Sequence, residues 1–225
     1  MSAADVEFFW DPVCPFAWVT SRWMEKVARR RELDVDWRFI SLAILNGERD
    51  YESEFPKGYS ETHGRGLELL RVAAAAREAH GREAMFGLYT SFGDAIWTDE
   101  PDDRGVLGLV GKPGEIDPIR PLLERADLPT ELAEEATDEK WNDVLAAETT
   151  DALSRTGDQV GTPIITYGPP DGPSLFGPVI SRVPDDDEAV ELWDAVTKLA
   201  HWDGFSELKR SNRELPQIPL ITARS

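Results

Sequence analysis

The segment Trp10-Asp11-Pro12-Val13-Cys14-Pro15-Phe16-Ala17-Trp18 holds the chain's only cysteine and marks a change of periodicity. Before it, Val6 to Trp10 is a short apolar run with one acidic residue, the length and composition of a buried strand. Asp11-Pro12 turns the chain. After it, from Phe16 to Arg31, Val19, Trp23 and Val27 recur at i, i+4 and i+8 with Met24 and Ala28 beside them. That is one face of an amphipathic helix ending in Arg29-Arg30-Arg31. Pro15 suits its first turn, where a missing N–H costs nothing. Cys14 therefore stands at a strand-to-helix junction. Unpaired N–H groups and the positive helix end there favour a thiolate, which predicts a pKa well below the roughly 8.5 of a free thiol. Asp11 opposes that effect if it faces the sulfur. The competing assignment for Cys14 is a small buried hydrophobe.

Outward from this segment, Val35, Trp37 and Phe39 alternate with Asp36, Arg38 and Ile40, the period of a strand. A helix between two strands makes the opening a βαβ unit with parallel strands and a right-handed crossover. From about Ser60 to Gly157 the chain is rich in Ala, Leu, Glu and Arg, without a convincing period of two. It breaks at Gly81, Gly105, Gly111 to Gly114 and Pro129. Stripes of Leu67, Leu70 and Ala74, of Met85, Tyr89, Phe92 and Ile96, and of Trp141, Val144, Leu145 and Ala152 read as helices. Strand character returns at Val160 to Tyr167. A turn at Gly168 to Pro173 and a second apolar run, Leu175 to Val183, complete a hairpin. A helix from near Asp187 carries Val190, Trp193, Val196 and Ala200, and an extended tail follows from Phe205.

The order β-α-β, helices, β-β-α is that of an α/β thioredoxin-like fold with an α-helical insertion domain. Residues 1–58 form the first part, 59–157 the insertion, and 158–225 the second part with its tail. Thr162-Pro163 opens the third strand, where such folds hold a cis-proline against the active cysteine. In that conformation the Thr162 backbone groups pair an extended thiol or peptide ligand like an added strand edge, and Gly161 permits close approach.

Twenty-four basic against 43 acidic residues give a formal charge of -19, which excludes a phosphate-backbone partner. Asp99 to Asp103 and Asp185 to Glu188 read as solvated loops or helix starts. The unpaired cysteine, together with a Met1-Ser2-Ala3-Ala4-Asp5 start without basic or apolar character, points to a cytoplasmic protein. No stretch approaches the roughly 20 apolar residues of a membrane span. His63, His80 and His201 lack metal-ligand spacing, so no metal site is expected. His80 reads as a cation at a helix C-terminus, and His63 is either a loop residue or part of a lid near the cleft. The Gly105 to Gly114 segment lacks nucleotide-binding spacing, and no tightly bound cofactor is expected.

Several motifs in order resemble one family. They are Asp11 to Trp18, Thr20-Ser21-Arg22-Trp23, Ser41-Leu42-Ala43-Ile44-Leu45-Asn46, Leu88-Tyr89, Val160-Gly161-Thr162-Pro163, Phe176-Gly177-Pro178-Val179 and Glu207-Leu208-Lys209-Arg210. Together they look like the actinobacterial branch of the DsbA-like superfamily, the mycothiol-dependent reductases also described as nitroreductases. The resemblance implies a helical lid, thiol–disulfide chemistry on Cys14, and mycothiol or a similar small thiol as co-substrate. Comparable members read C-P-W-C. Here Phe16 replaces the Trp and Ala17 the resolving Cys. A lone thiolate attacks a mixed disulfide, or is oxidised to a sulfenic acid that another thiol clears. The second sulfur then comes from solution.

Cys14 is the expected nucleophile. Pro15, Phe16, Ala17, Trp18, Gly161, Thr162 and Pro163 are expected around the thiol, and Asn46 is either a turn residue or a polar ligand. Trp10 and Trp23 are assigned to the core, while Phe16, Trp18 and Trp97 are candidates to line an apolar cleft. The leading function is a monothiol oxidoreductase acting with a small thiol on a small-molecule or mixed-disulfide substrate. Two alternatives stand beside it: a non-redox thiol-dependent transferase or isomerase related to kappa-class glutathione transferases, and a non-catalytic binding protein.

Overall fold

The computed structural model describes residues 4–99, 107–157, 160–211 and 214–222. Residues 1–3 and the acidic positions 100–103 lie outside these. Four strands form one sheet in the order β2-β1-β3-β4: β1 (Val6–Trp10), β2 (Val35–Phe39), β3 (Ile164–Tyr167) and β4 (Ser174–Phe176). β1 and β2 are parallel, with Val6 opposite Val35 and Trp10 opposite Phe39. β3 runs antiparallel to both β1 and β4. The parallel pair needs a crossover, and α1 (Pro15–Arg31) provides it. Cys14 is its N-cap, Pro15 opens it, and Glu32 closes it in the left-handed region.

β1 is central and buried on both faces, which is why its sequence does not alternate. Val6, Phe8 and Trp10 enter the main core, whereas Phe9 joins Ile40, Ala152 and Ile164 on the other face. The second hairpin strand is shorter than the apolar run Leu175 to Val183. It stops at Phe176, because Gly177 takes a φ of 96° and Pro178 has no N–H for the ladder.

Between β2 and β3 the described residues hold only helical structure. These helices are α2 (Leu42–Leu45), α3 (Tyr51–Glu54), α4 (Tyr59–His80), α5 (Ala84–Gly93), α6 (Arg120–Arg125) and α7 (Asn142–Thr156), with a π-helical turn at Asp94–Thr98 and a 3-10 stretch at Thr130–Thr137. One apolar cluster runs from Phe8, Trp10 and Trp37 of the sheet into Tyr89, Phe92, Leu122 and Leu145 of these helices. Trp10 stacks on Tyr89 with ring centroids 4.1 Å apart, joining strand to helix by aromatic contact.

α7 covers the other face through Ala152 and satisfies the exposed edge of β2. Glu148 accepts from the Phe39 N–H at 2.9 Å, and Thr149 Oγ1 accepts from the Ser41 N–H at 3.0 Å. α8 (Asp186–Ala200) begins with a capping box between Asp185 and Glu188, so that acidic run is a helix start. It packs on α1, where Trp23 Nε1 donates to the Ala189 carbonyl at 2.9 Å. The tail returns across the body to a short final helix, α9 (Pro219–Thr222), placed against the π-helical turn with Ile218 and Leu220 buried. Among the described residues no helix is long and apolar enough to cross a membrane.

Candidate active site

Cys14 sits where β1 passes into α1. Its N–H donates to the Asp11 carbonyl at 3.1 Å, closing the turn, and its sulfur accepts from the Ala17 N–H at 3.4 Å, capping the helix. On its other side the thiol donates to the Thr162 carbonyl at 3.5 Å. The Thr162–Pro163 peptide is cis. Thr162 Oγ1 donates to the Phe9 carbonyl at 3.1 Å and Gly177 N–H to the Pro163 carbonyl at 2.8 Å, so this loop is held by β1 and by the chain after β4. Thr20 Oγ1 of α1 donates to the Pro178 carbonyl at 2.9 Å, tying helix and loop together.

The depressed thiol pKa expected from the helix start is corrected by burial. Cys14 is only 7% exposed, and loss of water pushes its thiol up to about 12. The Ala17 and Phe16 N–H groups pull the other way and are outweighed, while the Asp11 charge adds to the rise.

Asp11 is itself fully buried. One carboxylate oxygen accepts from the Val13 N–H at 2.9 Å and the other from the Leu42 N–H at 2.7 Å. Burial still raises it from 3.8 to about 7 against those two N–H groups. α4 closes on this turn at Gly66, where a Cβ would stand 2.7 Å from Val13 Cγ2 and 3.0 Å from Asp11 Oδ1. Trp97 Nε1, from the π-helical turn, donates to the Pro12 carbonyl at 2.9 Å. The cysteine turn is therefore fixed from α1, α2, α4 and the π-helical turn together.

Of the remaining expected residues, Pro15 and Phe16 are half-buried at the helix start and Ala17 is fully buried. Gly161 is half-exposed, with the Phe176 ring 4.0 Å from where its Cβ would be. Phe176 and Val179, each 38% exposed, leave apolar surface on the loop that bonds Pro163. Trp18 turns away from solvent. It lies on Gly93, meets Tyr89 edge-on at 5.7 Å and carries the Arg22 guanidinium 4.1 Å above its ring. Trp18 and Trp97 are thus core residues and do not line an open cleft, because both are 3% exposed or less.

Asn46 ends α2, donating to the Leu42 carbonyl at 2.8 Å and accepting from Arg49 at 3.3 Å, which is the turn role. His63 lies in the first turns of α4, bonded through Nδ1 to the Tyr51 hydroxyl at 2.8 Å and framed by Tyr51, Phe55 and Tyr59. Asp-Pro before the cysteine marks a turn in the sequence. The Leu42, Gly66 and Trp97 contacts carry no comparable signal, since they join segments far apart in the chain.

A profile of the Rv2466c-like family, described as mycothiol-dependent nitroreductase Rv2466c, matches residues 13–210. The chain belongs to this family. With the Rv2466c-like family it is a thiol-dependent oxidoreductase on the DsbA-like, thioredoxin-type α/β fold. It is 28% identical over 210 residues to an uncharacterized protein, Rv2286c, of Mycobacterium tuberculosis, covering 91% of this chain and 81% of that one. In fold it is similar to a probable DsbA oxidoreductase from Streptomyces coelicolor, with a TM-score of 0.55, 15% identity, and 94% and 95% of the two chains covered. It is also similar to the cytosolic disulfide reductase DsbM from Pseudomonas aeruginosa, with a TM-score of 0.53, 16% identity, and 87% and 99% covered.

Proposed function

We propose that the protein is a monothiol thiol–disulfide oxidoreductase in which Cys14 is the nucleophile and mycothiol, or a closely similar small thiol, is the co-substrate. The observation that carries this is the placement of the Cys14 sulfur between the start of α1 and the Thr162 carbonyl at 3.5 Å, with Ala17 where a second cysteine would resolve an internal disulfide. The Cys14 thiolate attacks a mixed disulfide and takes its small-thiol half, and the released thiolate is protonated. A second small thiol then attacks the adduct, forming a small-molecule disulfide and freeing Cys14. Thr162 offers its backbone as an edge for the incoming ligand, and Pro15, Phe16, Ala17, Gly161 and Pro163 are the residues assigned to receive it. A reducing cytoplasm, where unpaired thiols persist, suits this chemistry.

The buried, protonated sulfur favours a second reading, in which Cys14 keeps its thiol and the protein catalyses thiol-dependent transfer or isomerisation. One measurement separates the two. Intact mass after incubation with mycothiol disulfide is expected to rise by one mycothiol in the wild type and not in Cys14→Ser. No adduct on folded wild type sinks the redox assignment.

A further inference from the structure

We propose that Asn46-Gly47, the chain's only Asn-Gly pair, is a site of spontaneous conversion of Asn46 to aspartate and isoaspartate. Arg49 holds the conversion in check, and its products loosen the grip of α2 on the cysteine turn. An asparagine amide is chemically labile, most of all before glycine, whose backbone nitrogen has no side chain to shield it. The reaction needs only water. The Gly47 nitrogen loses its proton and attacks the Asn46 side-chain carbonyl carbon, the new C–N bond closes a cyclic succinimide, and ammonia departs. Water then opens the ring at either carbonyl, leaving aspartate or isoaspartate with no change of oxidation state.

The fold holds both reacting groups away from this path. Gly47 donates its N–H to the Ile44 carbonyl at 3.1 Å, so the nucleophile is engaged. Asn46 is only 4% exposed, its Nδ2 donating to the Leu42 carbonyl at 2.8 Å and its Oδ1 accepting from Arg49 Nη1 at 3.3 Å. Arg49 is itself fixed from α3. Its Nε donates to Glu54 at 2.8 Å, and the guanidinium lies 4.6 Å from the centre of the Phe55 ring. Glycine suits position 47, since a Cβ there would stand 3.3 Å from the Ala43 and Ile44 carbonyl oxygens. The residue that lets this turn close tightly is thus the one that leaves the amide open to attack.

Conversion reaches the cysteine turn through hydrogen bonds already in place. The Leu42 carbonyl accepts from the Asn46 N–H at 3.1 Å as well as from its Nδ2, and the Leu42 N–H donates to an Asp11 carboxylate oxygen at 2.7 Å. The other Asp11 oxygen takes the N–H of Val13, the neighbour of Cys14. An aspartate at position 46 exchanges the Nδ2 donor for an oxygen facing the Leu42 carbonyl. Isoaspartate adds a methylene to the backbone and shifts the Asn46 and Gly47 N–H groups off their acceptors. Either product weakens the end of α2, the element that presents the Leu42 N–H to Asp11.

The test is incubation of the full-length protein in mildly alkaline buffer, with conversion at position 46 followed by peptide mapping. The chain unfolded in urea should convert about tenfold or more faster than the native protein, because only local opening frees the amide within the fold. Native Arg49→Ala should convert several-fold faster than native wild type, while Asn142-Asp143 stays unchanged throughout. Native conversion as fast as in urea, Arg49→Ala matching the wild type, or an unfolded chain that converts Asn46 no faster than Asn142 would each overturn the proposal. Should Arg49→Ala not fold, Arg49→Lys, which lacks the guanidinium that spans Glu54 and Asn46, is read in the same way. Converted protein, separated by its added negative charge, should react at Cys14 with iodoacetamide several-fold faster than unconverted protein, and an equal rate would overturn the link to the cysteine turn. Neither measurement involves mycothiol, so this proposal stands or falls apart from the redox assignment.

Discussion

At Cys14 the helix start and the Asp11 charge act on a sulfur that has already lost its water, and desolvation is the larger effect. At His63 burial acts unopposed: packing among Tyr51, Phe55 and Tyr59 lowers the imidazole from 6.5 to about 4. A base with a depressed folded pKa stabilises the fold fully above its unfolded value and loses that contribution as pH falls from about 6.5 through about 4. Asp11 slopes the other way. Its folded pKa is raised, so its contribution is full below 3.8 and lost as pH rises through about 7. Thermal unfolding measured across that range should therefore show a smaller fall in Tm on acidification in His63→Gln than in the wild type. Parallel curves for the two proteins would remove His63 from the acid-side behaviour.

Among the elements, the packing of α4 and α7 on the edge strand β2 depends on one buried carboxylate. Glu148 is 9% exposed, accepts from the Phe39 N–H, and meets Arg77 Nη2 of α4 at 2.6 Å. The Arg77 guanidinium also lies 4.1 Å above the Phe39 ring. Arg38 approaches Glu148 at 3.6 Å and supplies only part of its neutralisation. Arg77→Ala should thus destabilise the protein by about 2–3 kcal/mol, the scale of a lost charge-assisted hydrogen bond that leaves its partner buried. Urea unfolding measures it, and a change within error of zero would show that Arg38 alone suffices to pair Glu148. The helix stripes that place α4 and α7 are visible in sequence. The Arg77 to Glu148 pairing that fixes their approach is not, because ion pairs between distant segments leave no periodicity.

Over the whole molecule the main core passes unbroken from the sheet through the helices to Ile218 and Leu220 near the C-terminus. The tail thereby reaches the cysteine turn indirectly: α9 packs on the π-helical turn, whose Trp97 holds the Pro12 carbonyl at 2.9 Å. Ending the chain at Ser211 should cost about 3–6 kcal/mol, from two buried aliphatic side chains at about 1.5–3 kcal/mol each. It should also speed alkylation of Cys14 as the turn loosens. Differential unfolding and the alkylation rate at one pH check both effects, and unchanged values would make the tail a passive appendage.

The elements and their order were determined locally. A buried five-residue run, a Pro-led amphipathic helix and a Gly-Pro hairpin turn follow from periodicity and turn chemistry within each segment, so the β-α-β and β-β-α halves were legible around Cys14. The junction that makes Cys14 an N-cap was legible for the same reason. Only the tertiary structure decided how much water the sulfur loses, that Trp18 and Trp97 point inward, and that Gly66, Leu42 and Trp97 converge on the turn. Burial and desolvation are sums over neighbours brought from remote parts of the chain, and they reversed the thiol pKa that the helix start alone predicts.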